Sequence, residues 1–175
     1  MSIPGLAADK SPFELKVVVK KESIAWPYEV GQKEFEKKLH DAMKKKDGMY
    51  PAPPAIDLVL QITNAGTEKA TVYVDGDPNT ATLTLKGPGV VVATPMLAFT
   101  TDFRGPKAVV LEPGKTHEVP LKALSDGFRK ASRYIYPTAP GEYTLSATYQ
   151  LSTEDGGKGP LLKSGEAKFK VEEPK

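Results

Sequence analysis

The chain has 175 residues, enough for one well-buried core. With 39% hydrophobic residues, 26% charged residues and a formal net charge of +2, it is neither a disordered chain nor one whose overall charge would gather nucleic acid. It has no cysteine, which removes disulfides, thiolate metal sites and cysteine nucleophiles together.

The opening "MSIPGLAADKSPFELKV" has neither a basic start nor an apolar run of about 7 to 15 residues, so it is not a secretory leader. The chain is then either cytosolic or a mature exported chain. A natural start near Ala7 or Ala8 favours a periplasmic, cell-envelope or extracellular address in a bacterium over the cytoplasm. No apolar run reaches the roughly 18 residues that would cross a bilayer, so no membrane insertion is expected. The ends, 1–10 and 172–175, are expected to be loose.

From there, period-two alternation dominates. Phe13, Leu15, Val17 and Val19 alternate with Glu14, Lys16, Val18 and Lys20, and Ile56, Leu58, Leu60 and Ile62 alternate up to "NAGTE", where Asn64 and Gly66 are suited to left-handed backbone angles. Between these two strands "GQKEFEKKLHDAMKKKDG" changes period. Phe35, Leu39, Ala42 and Met43 share one face of a helix over about 32–46, with Lys44, Lys45 and Lys46 in its last turn and Gly48 as its stop. The proline-rich "YPAPPA" returns the chain to the sheet as a stiff connector. Further strands are predicted at 70–74, 81–85, 90–93, 107–111, 116–121, 143–151 and 167–171. Most are separated by Gly/Pro turns, a cadence that predicts an all-β sandwich of seven to nine antiparallel strands. The expected organisation is a single domain over 1–175 with a helical insertion at about 31–48.

Three motifs invite a chemical reading. Gly114-Lys115-Thr116 ends like a phosphate-binding loop, but the first glycine of that motif would fall on Val109, and "THEVPL" alternates like a strand instead of opening a helix. A Pro-Gly corner is expected there, with Gly114 at a positive angle. "DGDPNT" places Asp75, Asp77 and Asn79 at alternate positions like the start of a calcium loop, but Thr80 and Lys86 stand where that loop needs glycine and glutamate. Asp75 and Asp77 remain candidates for a looser cation site. His40 and His117 lie on different elements without a second histidine at ligand spacing, and no Gly-x-Ser-x-Gly elbow exists. No catalytic site, metal centre or cofactor is expected.

The polar stretch "DGFRKASRYIYPT" is the main candidate for binding. Arg129, Arg133, Tyr134 and Tyr136 combine guanidinium and aromatic surface in what reads as a loop, and Arg104 and Lys107 of "DFRGPKAV" extend the same basic set.

"PGEYTLSATY" carries a family likeness. Gly141-x-Tyr143-x-Leu145 resembles the tyrosine corner of immunoglobulin-like domains, with Leu145 where antibody domains have cysteine and Leu58 or Leu60 as its apolar partner. The lone Trp26 lies upstream of the helix, away from that family's core tryptophan. The order "DLVLQITNAGTEKATVYV", "LEPGKTHEVPL", "APGEYTLSATY" is similar to bacterial immunoglobulin-like domains of the BsuPI-type proteinase inhibitors and to uncharacterised exported bacterial β-sandwich proteins. That resemblance covers about 56–151. It implies the fold, and for the inhibitors a loop that fills a protease cleft.

The expected function is a non-catalytic binding or structural module that recognises a protein or polymer, not nucleic acid, through loops at one end of the sandwich. The alternative is a protease inhibitor acting through the extended stretch "ATPMLAFTTDFRGPK".

Overall fold

The computed structural model describes residues 11–45, 47, 49–77, 80–96, 102–127 and 131–174. Alternation in the sequence becomes alternation of burial. In β3 (Ala55–Asn64) the residues Ile56, Leu58, Leu60 and Ile62 are buried, and in β11 (Gly141–Ser152) so are Tyr143, Leu145, Ala147, Tyr149 and Leu151. These two strands centre two facing sheets, because a pleated strand can present one apolar row to a partner sheet and the other row to water.

The first sheet runs β1 (Phe13–Val19), β3, β8 (Thr116–Ala123), antiparallel throughout, with Leu15 opposite Ile62 and Leu60 opposite Val119. In the second sheet β11 pairs on one flank with β13 (Ala167–Val171) and β12 (Lys158–Lys163), and on the other with β5 (Thr80–Lys86). Ser152, at the end of β11, meets Tyr73 of β4 (Ala70–Val74), and β7 (Lys107–Leu111) lies outside β4. The short β2 (Ser23–Ile24) joins β13 in parallel, so the chain leaves the first sheet after β1 and crosses to the second. Leu60, Ile62, Leu83, Tyr143 and Leu145 all belong to one buried cluster between the sheets.

A third, small sheet orders β6 (Val90–Ala93), β10 (Arg133–Pro137) and β9 (Ser125–Asp126). Its β10 was expected to be loop, since its charged and aromatic residues hide the alternation. That alternation is real: Ile135 faces the main core, while Tyr134 and Tyr136 face α1 (Gln32–Lys45). The helix covers this sheet through Phe35 and Leu39, with Tyr28 stacked on Phe35 at 3.5 Å between ring centres. Lys46 and Gly48 lie outside the described residues. The Tyr136 hydroxyl donates to the Pro51 carbonyl at 2.6 Å, which fixes the proline-rich connector against the same layer.

The tyrosine corner is present. The Tyr143 hydroxyl lies 2.6 Å from the Ala139 carbonyl and 2.9 Å from that of Gly89, and the Ala139 amide donates to it at 3.3 Å. Gly87 makes room for the ring, since a Cβ there would sit 2.2 Å from Cδ1 of Tyr143. The fold is an immunoglobulin-like β-sandwich with one helix, built from mostly antiparallel strands. All nine strands expected from the sequence are present, and β2, β9, β10 and β12 are additional.

Two turn expectations part company. Gly114 does take a positive φ of 73° in the corner between β7 and β8. Asn64 and Gly66 do not use left-handed angles. The fully buried Asn64 instead works through its side chain: its amide donates to the carbonyls of Glu68 at 2.8 Å and Leu111 at 2.9 Å, and its oxygen accepts from Gly66 at 3.0 Å. One amide thereby closes the turn after β3 and ties it to β7 of the other sheet.

Candidate functional site

Arg133 and Asp126 face each other across the β9–β10 pair. The Asp126 carboxylate accepts from Arg133 Nε at 2.8 Å and Nη2 at 2.5 Å, and from the Leu83 amide at 2.5 Å, while Arg133 Nη2 also donates to the Leu83 carbonyl at 3.0 Å. Leu83 lies in the middle of β5, so an acid and a base occupy the N–H and C=O that a neighbouring strand would otherwise take. The Gly127 amide adds a bond to the Ala81 carbonyl at 3.3 Å. This joint fastens the small sheet to the second sheet. The Asp126 side chain is 1% exposed and that of Arg133 33%; hydrogen bonding to Asp126 holds the guanidinium more strongly protonated than usual.

Beside the joint lies a depression of about 390 Å³. Its walls come from Thr80 and Ala81 of β5, from Val119 and Leu121 of β8, and from three connections that carry Asp75 to Asp77, Arg104, and Gly127 and Ser132. Strands of both sheets contribute, so it opens on the flank of the sandwich and not among the loops at one end. The connections are pinned together: the Asp77 amide donates to the Arg104 carbonyl at 2.9 Å, and the Arg104 amide to the Asp77 carboxylate at 3.2 Å. Gly76 lies so close beneath Pro106 that a Cβ would come within 2.6 Å of its ring nitrogen. Tyr149 is also among the lining residues, and burial with the nearby Asp75 carboxylate pushes its hydroxyl up to about 12.

The structure sorts the candidate residues. Arg104 and Tyr134 line the depression, Arg104 exposed and Tyr134 half-buried. Arg133 lines it too, but its fork is committed to Asp126 and Leu83. Tyr136 is fully buried in the helix-facing cluster and has no surface for a ligand. Its alternation partner Ile135 is buried on the other side, which is why an aromatic and basic run became strand. Lys107 is exposed at the start of β7. Arg129 and Asn79 lie outside the described residues. Asp75 is exposed with φ of 63° and Asp77 is buried; both line the depression, and among the described residues no group of three or more His, Asp or Glu side chains gathers to hold a metal. Sequence reasoning missed Asp126. Its one signal is the "SDG" ahead of the basic run, which reads as an ordinary turn. A second depression, about 560 Å³, lies where the chain crosses between sheets and includes Trp26, Lys21 and Lys122.

No helix among the described residues is long and apolar enough to cross a membrane. No protein-family model matches the chain. No curated protein matches it either. Among solved structures, it is similar to native alpha-2-macroglobulin from Escherichia coli, spanning domain MG7 to the C-terminus, at TM-score 0.37 and 13% identity over 93% of this chain. It is similar also to a β-glucosidase from Erythrobacter marinus, at TM-score 0.33 and 12% identity over 91% of this chain. The chain spans 17% and 15% of the length of those two chains. Likenesses at these scores carry no argument about what it does.

Proposed function

We propose that the chain is a non-catalytic binding module that takes part of a protein or polymer into the flank depression, with Arg104 and Tyr134 as contact residues. One observation carries this reading: Asp75, Arg104 and Ser132, brought by three separate connections, converge with Tyr134 of β10 on one concavity. At about 390 Å³ it falls at the small end of ligand sites, the size of one side chain or one sugar of a longer molecule. Once Asp126 and Arg133 have satisfied each other, the groups left for a ligand are an acid, a guanidinium, hydroxyls and a ring. That set suits mixed donors and acceptors on a partly apolar body. The test is an amide chemical-shift titration with short mixed-charge peptides and neutral oligosaccharides. Saturable shifts at residues 75–77, 104–106 and 132–134, weakened about tenfold by Arg104→Ala, are expected. Shifts confined to the far end, at 87–89 and 139–141, or turnover of any probe, would refute it.

The protease-inhibitor reading is favoured by one feature: Phe103, 64% exposed, precedes the exposed Arg104 in a segment anchored by Pro106 over Gly76. Residues 97–101 of that segment lie outside the described residues. A panel of serine, cysteine and metalloproteases decides it, since an inhibitor slows at least one and an ordinary surface segment slows none.

A further inference from the structure

The charges around the flank depression narrow what enters it, an inference that rests on the function proposed above. The ionised side chains that line it are Asp75, Asp77, Arg104, Asp126 and Arg133. Asp126 and Arg133 offset each other. Asp77 is buried, and its carboxylate accepts from the Arg104 amide. That leaves one acid and one base, Asp75 and Arg104, both exposed and neither in an ion pair among the described residues. They share a concavity and do not meet.

Their backbones are fixed to each other. Asp75 turns at a φ of 63°, an angle that an aspartate tolerates better than most residues, and the Tyr149 hydroxyl lies beside its backbone. Gly76, next in the chain, is wedged beneath Pro106, two residues beyond Arg104. Two hydrogen bonds then join the segments, from the Asp77 amide to the Arg104 carbonyl and from the Arg104 amide to the Asp77 carboxylate. Opposite charges on fixed supports leave a gap that a ligand bearing both signs fills without moving either support.

We propose that what enters the depression is polypeptide carrying a basic and an acidic side chain close together, the base against Asp75 and the acid against Arg104. Both contacts are charge-assisted, and the arginine fork suits a carboxylate. A segment of one sign would satisfy one group and set a like charge against the other, whereas a neutral sugar leaves both charges unmatched. The apolar lining of Val119 and Leu121, with the Tyr134 ring, receives the alkyl stems that long charged side chains lay along such surfaces.

The test is an amide chemical-shift titration with end-blocked peptides holding one lysine and one glutamate, adjacent or separated by one residue. Their counterparts replace the lysine by norleucine or the glutamate by glutamine, and a neutral oligosaccharide serves as the uncharged probe. Saturable shifts at residues 75–77 and 104–106 are expected from a mixed-charge peptide, with each charge removed weakening binding by about threefold or more. Asp75→Asn and Arg104→Gln complete the comparison, the asparagine chosen because it also accepts a positive φ, and the thermal midpoint establishes that each variant is folded. Asp75→Asn should couple to loss of the peptide's lysine alone, and Arg104→Gln to loss of its glutamate alone. Effects that add without coupling, or an oligosaccharide or uncharged peptide that binds the same residues as tightly, would overturn this inference and leave the binding module standing. Silence at those residues toward every probe would end both.

Discussion

Asp126 and Arg133 show how an ion pair is judged by what its loss leaves behind. Removing Arg133 strands a carboxylate that is 1% exposed and that, among the described residues, keeps only the Leu83 amide to face it, a loss of about 3–5 kcal/mol. Removing Asp126 leaves an arginine that can turn to water and one unpaired amide, about 1–3 kcal/mol. Chemical denaturation should therefore rank Arg133→Met as the more damaging, and the reverse order would mean that the guanidinium, not the carboxylate, is the buried partner. At Tyr143 one hydroxyl serves two carbonyls and an amide, so Tyr143→Phe should lower stability by about 1–2 kcal/mol with the fold intact. An unchanged denaturation midpoint would place that hydroxyl in water.

The elements divide by how plainly their periodicity shows. β3, β11 and α1 were legible because their apolar residues recur at spacings of two or of three and four with few exceptions. β10 was not, because Tyr134 and Tyr136 carry polar tips, and the Tyr136 hydroxyl meets its partner, the Pro51 carbonyl, only once the proline-rich connector has folded over it. The candidate site was legible by half for the same reason. Arg104 and Tyr134 reach the depression, but nothing local distinguishes Arg133, whose fate is decided by an aspartate seven residues back and a strand fifty residues away. Asn64 misled through its chemistry: a turn-forming residue was read for its backbone, and its side chain does the work. Between the sheets, Leu60→Ala or Leu145→Ala should each cost about 2–5 kcal/mol, since both side chains are fully buried in the shared core. Tolerance of both, measured by thermal unfolding, would deny that the two strands face each other.

At the scale of the whole molecule, three layers share one architecture: two sheets over a common core, then a small sheet clad by a helix. Burial pushes the hydroxyls of Tyr28, Tyr136, Tyr143 and Tyr149 upward, that of Tyr149 to about 12. Their folded values exceed the unfolded value of about 10, so their contribution is complete below that pH and is lost as pH rises from there toward 12 and beyond. Ultraviolet titration should show these four ionising together with unfolding, and smooth ionisation of all seven tyrosines near pH 10 in a folded chain would contradict it. The side-chain joint on β5 fastens the small sheet to the second sheet, and it also shapes the flank depression. Native-state hydrogen exchange at the Leu83 amide tests that joint directly. The account predicts slow exchange in the wild-type chain and fast exchange in Asp126→Ala, with the amides of Leu60 and Leu145 protected in both. Rapid exchange at Leu83 in the wild-type chain would contradict it.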